Sequence, residues 1–162
     1  MLRLIRALIA GLPLLGGIGA AAGALASAVL AQEARPSQED AKAIALKAAD
    51  LIAARGLEAA AAIFNADGEF KQGEIYVCVI DLAGVWKVYP PRPVRVGVNV
   101  SGVSDPDGRL LVQDILALAR IQGEGWVEYR WLNPATNRIE PKVTYVKRVP
   151  GQDLVAYVGV YR

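Results

Sequence analysis

The C-terminal part of the chain alternates β-forming runs with short turn connectors, and this constrains the fold more than any other feature. Residues 126–132, 139–149 and 154–161 are rich in valine, tyrosine and tryptophan. Residues 133–137 (NPATN) and 150–153 (PGQD) join them. Parallel strands need a crossover of a dozen or more residues, so connectors this short require antiparallel hairpins. The hairpin also fixes a register. With residues 134–137 as its loop, Asn133 pairs with Arg138, Trp131 faces Glu140, and Tyr129 faces Lys142. Directly opposed residues share a face of the sheet, so Tyr129, Trp131 and Lys142 are expected together on one face. A slip of one residue would scatter them.

Upstream, the hydrophobic period changes at the turn cluster of residues 65–68 (NADG). After it, residues 74–81 (EIYVCVID) form a continuous β-rich run, expected to be a strand buried on both faces. Ala83 and Gly84 make a turn, and residues 85–89 return as its partner strand. Pro90, Pro91 and Pro93 forbid a central strand, and residues 94–99 are expected to form a short edge strand. Residues 105–108 (DPDG) are a turn. Before residue 65 the spacing is helical. Ser37 and Asp40 have the separation of an N-cap and its reciprocal acid. Ile44, Ala48, Leu51 and Ile52 recur at helical intervals, and Gly56 follows as a stop. Residues 57–64 read as a second, shorter helix with Ile63 and Phe64 as core contacts. A further amphipathic helix is expected over residues 110–122, with Leu111, Ile115, Leu118 and Ala119 inward. The fold class is therefore α+β: a central antiparallel sheet of about five strands, a long N-terminal helix lying on it, and a helix inserted midway.

Residues 1–31 stand apart. Arg3 and Arg6 precede an uncharged stretch over residues 7–31, and Val29 and Ala31 place small residues before Gln32. This is the pattern of a secretory signal peptide cleaved before Gln32. An uncleaved signal anchor is the alternative, since about 20 apolar residues span a bilayer; five glycines and Pro13 weaken that run. Either way the domain of residues 32–162 is expected outside the cytoplasm, periplasmic or secreted, and on the membrane only if the leader stays.

Composition removes several classes of function. The chain carries 18 Lys+Arg and 16 Asp+Glu. Without Arg3 and Arg6 the body is neutral by count, so no basic field exists to grip a nucleic acid. There is no histidine and one cysteine. Histidine metal sites, Ser-His-Asp triads, intramolecular disulfides and cysteine clusters are excluded. Asp105 and Asp107 resemble a fragment of a calcium loop, but the other ligands are missing and a turn is the better reading. Cys78 falls in a buried run, where an inert thiol is expected. No Gly-rich phosphate loop and no carboxylate pair suggest catalysis. No catalytic residue, metal site or cofactor is expected.

The ordered blocks "GEIYVCVIDLAG", "VGVNVSGVSDPDG", "GEGWVEYRWLNP" and "PKVTYVKRVPG" through "GVY" resemble the single Cache domain, type 2. These are extracytoplasmic sensor domains related in shape to PAS domains. The resemblance covers residues 37–162. It implies a PAS-like sheet and a pocket for a small organic ligand, often a short carboxylate. At the place where family members commonly carry a histidine this sequence has Tyr89. The chain reads as a free-standing Cache domain, with a neighbouring signalling protein as its possible partner.

Within that frame, Lys142 supplies a cation, Tyr129 a hydroxyl donor and Trp131 an aromatic wall, which together suit a small carboxylate. The competing reading makes Lys142 an exposed strand lysine paired with Glu140 or Glu128. Tyr76 and Tyr145 line either the pocket or the core. Arg95 and Asn99 either reach over the pocket mouth or are solvated loop residues. Trp126, on the other face, is expected in the core. The reading is an exported, non-catalytic ligand-binding module; the alternative is a structural or interaction module whose pocket is filled by side chains.

Overall fold

The computed structural model describes residues 35–162, and the leader with its cleavage point lies outside the described residues. Helix α1 spans Gln38–Arg55 and α2 spans Leu57–Asn65. A capping box starts α1: the Asp40 N–H donates to Ser37 Oγ at 3.2 Å, and the Ser37 N–H donates to Asp40 Oδ2 at 2.8 Å. Gly56 separates the two helices at φ +79°, a conformation that β-carbon sterics make costly for other residues. The apolar positions of α1 that reach the core are mostly alanines: Ala41, Ala45, Ala48 and Ala49, with Ile52. Their small side chains let the helix lie close to the sheet.

The strands are β1 (Lys71–Gln72), β2 (Ile75–Tyr76), β3 (Cys78–Asp81), β4 (Trp86–Val88), β5 (Glu124–Asn133), β6 (Arg138–Arg148) and β7 (Leu154–Tyr161). Helix α3, Leu111–Ile121, precedes β5. The main sheet has five antiparallel strands in the order β4-β3-β7-β6-β5, so this is an α+β fold of the PAS-like kind. β1 and β2 form a separate small hairpin. The expected register is observed: Asn133 pairs with Arg138, Trp131 with Glu140 and Tyr129 with Lys142.

Several local expectations need correction. The run 74–81 is not one strand; it divides at Val77, because Ile75 and Tyr76 pair with β1 while Cys78–Asp81 joins the main sheet. Residues 94–99 form no regular strand. Prolines impose a 3₁₀ turn at Pro93–Arg95. The segment after it still follows the β4 edge, donating Gly97 N–H to the Trp86 carbonyl and accepting from Trp86 N–H at Val98 O. Ile63 is 37% exposed, whereas Phe64 is fully buried and packs on Phe70. Trp126 is 36% exposed rather than core, with its ring set edge-on to Tyr145.

The two sheet faces are covered differently. Val79, Val88, Val143, Tyr145, Val158 and Val160 pack beneath α1 and α2. Ile80, Trp86, Val146, Val155 and Tyr157 pack on the other face against α3 through Leu111, Val112, Ile115 and Leu116. Leu118, expected inward, is only half-buried. Below the first turn of α3 this second face carries polar groups instead of a continuous aliphatic layer, and there the cavity lies.

Candidate functional site

The cavity lies over the middle strands of the sheet. Tyr129 and Trp131 of β5, Lys142 and Thr144 of β6, Tyr157 and Gly159 of β7, and Cys78 of β3 form its floor and sides. Tyr76, Trp86, Tyr89 and the first turn of α3 close over it. Period-two alternation explains the set, since every second residue of β5, β6 and β7 faces this side. The register explains the alignment: Tyr129 opposes Lys142, and Thr144 opposes Gly159.

Lys142 is the dominant charge. Only 4% of it is exposed, which is rare for lysine without an ion-pair partner. Its Nζ donates to Tyr76 Oη at 2.8 Å and lies 3.5 Å from Tyr161 Oη. It also sits 4.6 Å from the Tyr76 ring centroid and 4.4 Å from that of Tyr161, inside a two-sided aromatic cage. Neither Glu140 nor Glu128 pairs with it. Glu140 accepts from Asn133 and Thr136, and Glu128 binds Arg162. Among the described residues no carboxylate forms a salt bridge with Lys142. Burial disfavours the charged form and pulls its pKa down from 10.5 to about 8.

The surrounding polar groups are held in place. Tyr129 Oη and Thr144 Oγ1 share a hydrogen bond of 2.9 Å. Trp86 Nε1 donates to Tyr157 Oη at 3.0 Å, and the Trp86 ring stacks on Tyr89 with centroids 4.0 Å apart and planes 7° from parallel. Tyr161 Oη donates to the Leu132 carbonyl at 2.8 Å. Desolvation raises the pKa of Tyr76, Tyr129 and Tyr157, so these phenols stay protonated and available as donors. Burial also pushes the Cys78 thiol up to about 12, which keeps it un-ionised. Glu74 lies nearby; one carboxylate oxygen accepts from Asn133 at 3.1 Å, and the other is buried without a partner.

The cavity is small, about 30 Å³. One water-sized position needs about 10–15 Å³ on this measure, so there is room for two or three. That matches a carboxylate group rather than a long chain. An open groove of about 300 Å³ borders it, sharing Tyr129 and Lys142 and edged by Arg130 and Arg162.

Of the candidate residues, Tyr76, Tyr89, Tyr129, Trp131 and Lys142 converge on the cavity. Tyr145 does not, because it lies on the α1 face with Lys42 above its ring. Arg95 sits outside the wall, with its guanidinium 5.7 Å from the Trp86 ring centroid. Asn99 is occupied in a turn, donating to the Ala83 carbonyl and accepting from Ser101. Thr144, Tyr157, Gly159 and Tyr161 were not among the candidates. They were within reach of the same counting. Taking residues 150–153 as the β6–β7 loop pairs Val149 with Leu154 and leads back to Thr144–Gly159 and Lys142–Tyr161. Trp86 carried no such signal, because its approach depends on a long-range strand pairing.

Comparison with known proteins gives a consistent picture. The model of the family "Single Cache domain 2" matches residues 27–162. Over 86 residues, 53% of this chain, the sequence is 33% identical to the sensor histidine kinase MctS of Rhizobium johnstonii. Over the same length it is 30% identical to the methyl-accepting chemotaxis protein McpP of Pseudomonas putida. The chain spans only 18% and 16% of the lengths of these two relatives. Among solved structures, a Cache chemosensory domain described for its carboxylic acid recognition is 26% identical, with a TM-score of 0.61 over 76% of this chain and 86% of that one. The periplasmic sensor domain of a chemotaxis protein is also 26% identical, at TM-score 0.61 over 76% and 88%.

Proposed function

The chain belongs to the single Cache domain 2 family, and from that membership we propose that it is an exported, non-catalytic sensor domain that binds a short organic carboxylate at Lys142. One observation carries the reading: a buried ammonium faces the cavity with no carboxylate among the described residues in salt-bridge contact, the nearby Glu74 being bound to Asn133 instead. An ion buried in this way costs several kcal/mol unless an opposite charge joins it. A ligand carboxylate would supply that charge and would be released at much lower cost than a permanent Glu or Asp. The tyrosine hydroxyls add neutral donors around the anion, and the Trp86–Tyr89 stack walls one side of it. The carboxylic acid recognition described for a related Cache domain supports the same ligand class.

The relatives are a histidine kinase and a chemotaxis receptor, so the bound state is proposed to be reported to a signalling partner protein. The secretory pattern of residues 1–31, together with the periplasmic location of a related domain, supports a place outside the cytoplasm. Among the described residues no helix is long and apolar enough to cross a membrane.

The same small volume, about 30 Å³, is also what a second reading expects, in which side chains fill the pocket and the domain serves as an interaction module. Calorimetric titration and thermal shift with acetate, propionate and pyruvate separate the two. Saturable binding of at least one acid supports the sensor reading. If no acid, amine or neutral metabolite in a broad screen raises the melting temperature, the interaction module takes its place.

A further inference from the structure

Gly159 lies in the interior of β7, the middle strand of the sheet, among Tyr157, Val158, Val160 and Tyr161. Glycine weakens a strand interior and often marks a close approach of other atoms. The backbone does not demand glycine here, because the φ of Gly159 lies outside the left-handed region. Space does. A β-carbon at this position would lie 2.2 Å from Thr144 Oγ1 and 2.6 Å from Lys142 Cε. Both distances are far inside the 3.5–4.0 Å at which carbon atoms pack. The two side chains that fill the gap are both polar members of the cavity, and Gly159 itself forms part of the cavity floor.

We propose that Gly159 is a positioning residue: a notch in β7 that lets the Lys142 stem cross bare backbone and carries its ammonium into the Tyr76–Tyr161 cage. The proposal deepens the carboxylate reading but has a consequence independent of it. Nζ is one bond beyond Cε. Relieving the contact with a new methyl would move Cε by roughly 1 Å, given ordinary carbon contact distances. That shift is enough to break the 2.8 Å bond to Tyr76 Oη. If Thr144 turned aside instead, its 2.9 Å bond with Tyr129 would be lost. Either response degrades the cavity although no polar group has been removed.

The test is Gly159→Ala, read first without ligand. Lysine side-chain nitrogen NMR should show the Lys142 titration moving from about 8 towards the ordinary value of about 10.4, because the displaced ammonium regains water. Propionate, as the probe, should bind at least tenfold more weakly. Gly159→Ala/Thr144→Ala removes the closer clash; it should fold better than the single variant and still show the displaced titration. A Lys142 that titrates near 8 in Gly159→Ala, with propionate affinity unchanged, overturns the proposal. Should Gly159→Ala fail to fold, Lys142→Ala/Thr144→Ala is compared with the same pair plus Gly159→Ala. Equal stability of the two assigns the clash to these side chains, and failure of the triple variant to fold refutes that assignment. If wild-type protein ignores propionate and every other acid while the titration still moves in Gly159→Ala, the carboxylate reading fails and the role of Gly159 stands.

Discussion

Replacing Lys142 by methionine keeps the aliphatic stem and removes the charge, so it isolates the energetics of the site. The fall of its pKa from 10.5 to about 8, at about 1.4 kcal/mol per pH unit, corresponds to about 3 kcal/mol of destabilisation by the buried ammonium at neutral pH. Methionine avoids that cost but gives up a hydrogen bond to Tyr76, a loss of about 1 kcal/mol. The ligand-free variant is therefore expected to be more stable than wild type at pH 7, by about 2 kcal/mol. For a domain of this size that is a rise in melting temperature on the order of 5 °C. The gap must close with pH. Between about 8 and 10.4 the unfolded chain holds the lysine proton and the folded chain does not, so wild-type stability climbs relative to the variant as pH rises through that window. Comparison with the variant cancels the tyrosines, whose raised pKa values destabilise the folded state only above about pH 10. At 100 times its dissociation constant a carboxylate should stabilise wild type by about 2.7 kcal/mol, a shift on the order of 3–6 °C, and the variant not at all. Thermal melts from pH 6 to 10, with and without propionate, measure all three effects. A variant less stable than wild type at pH 7, with the two curves parallel to pH 10, would refute the buried-cation argument. Propionate stabilising both proteins equally would remove Lys142 from the site.

Carboxylate affinity in wild type should fall roughly tenfold per pH unit above about 8, as the ammonium of the free protein is lost; titration calorimetry at pH 7, 8 and 9 reads it, and a flat profile contradicts it. Tyr129→Phe should weaken the ligand-dependent shift by about 0.5–1.5 kcal/mol, or up to about 3 if it bonds the anion directly. Phe64→Ala, which empties a fully buried site where α2 packs on Phe70, should cost about 3–5 kcal/mol in denaturant unfolding; a cost under 1 kcal/mol would mean that α2 is not docked as described. Cys78, 3% exposed, should resist thiol reagents until the protein unfolds, and rapid labelling of native protein would show β3 to be open.

The local architecture was legible because it rests on local physics. Short connectors force hairpins, and a hairpin's loop length fixes its register; Tyr129 and Lys142 therefore fall opposite each other whatever the rest of the chain does. The capping box at Ser37 and the stop at Gly56 depend on a few adjacent residues and were equally readable. Sequence resemblance supplied the family and, with it, the ligand class proposed for the site. The tertiary structure decided what depends on contacts distant in sequence. It inserted β3 beside β7, where Val79 pairs with Ala156, 77 residues away, at a separation set by no local rule. That pairing brings Trp86 and Tyr89 to the cavity and, with the β1–β2 hairpin, divides the 74–81 run at Val77. Above all it decided the state of Lys142. A lysine alternating with apolar residues on a strand reads equally well as a surface charge, since its neighbours in sequence do not reveal what crosses above it. Burial by Tyr76, from 66 residues earlier, and the space left by Gly159 turn that ordinary lysine into an unpaired cation in a cage.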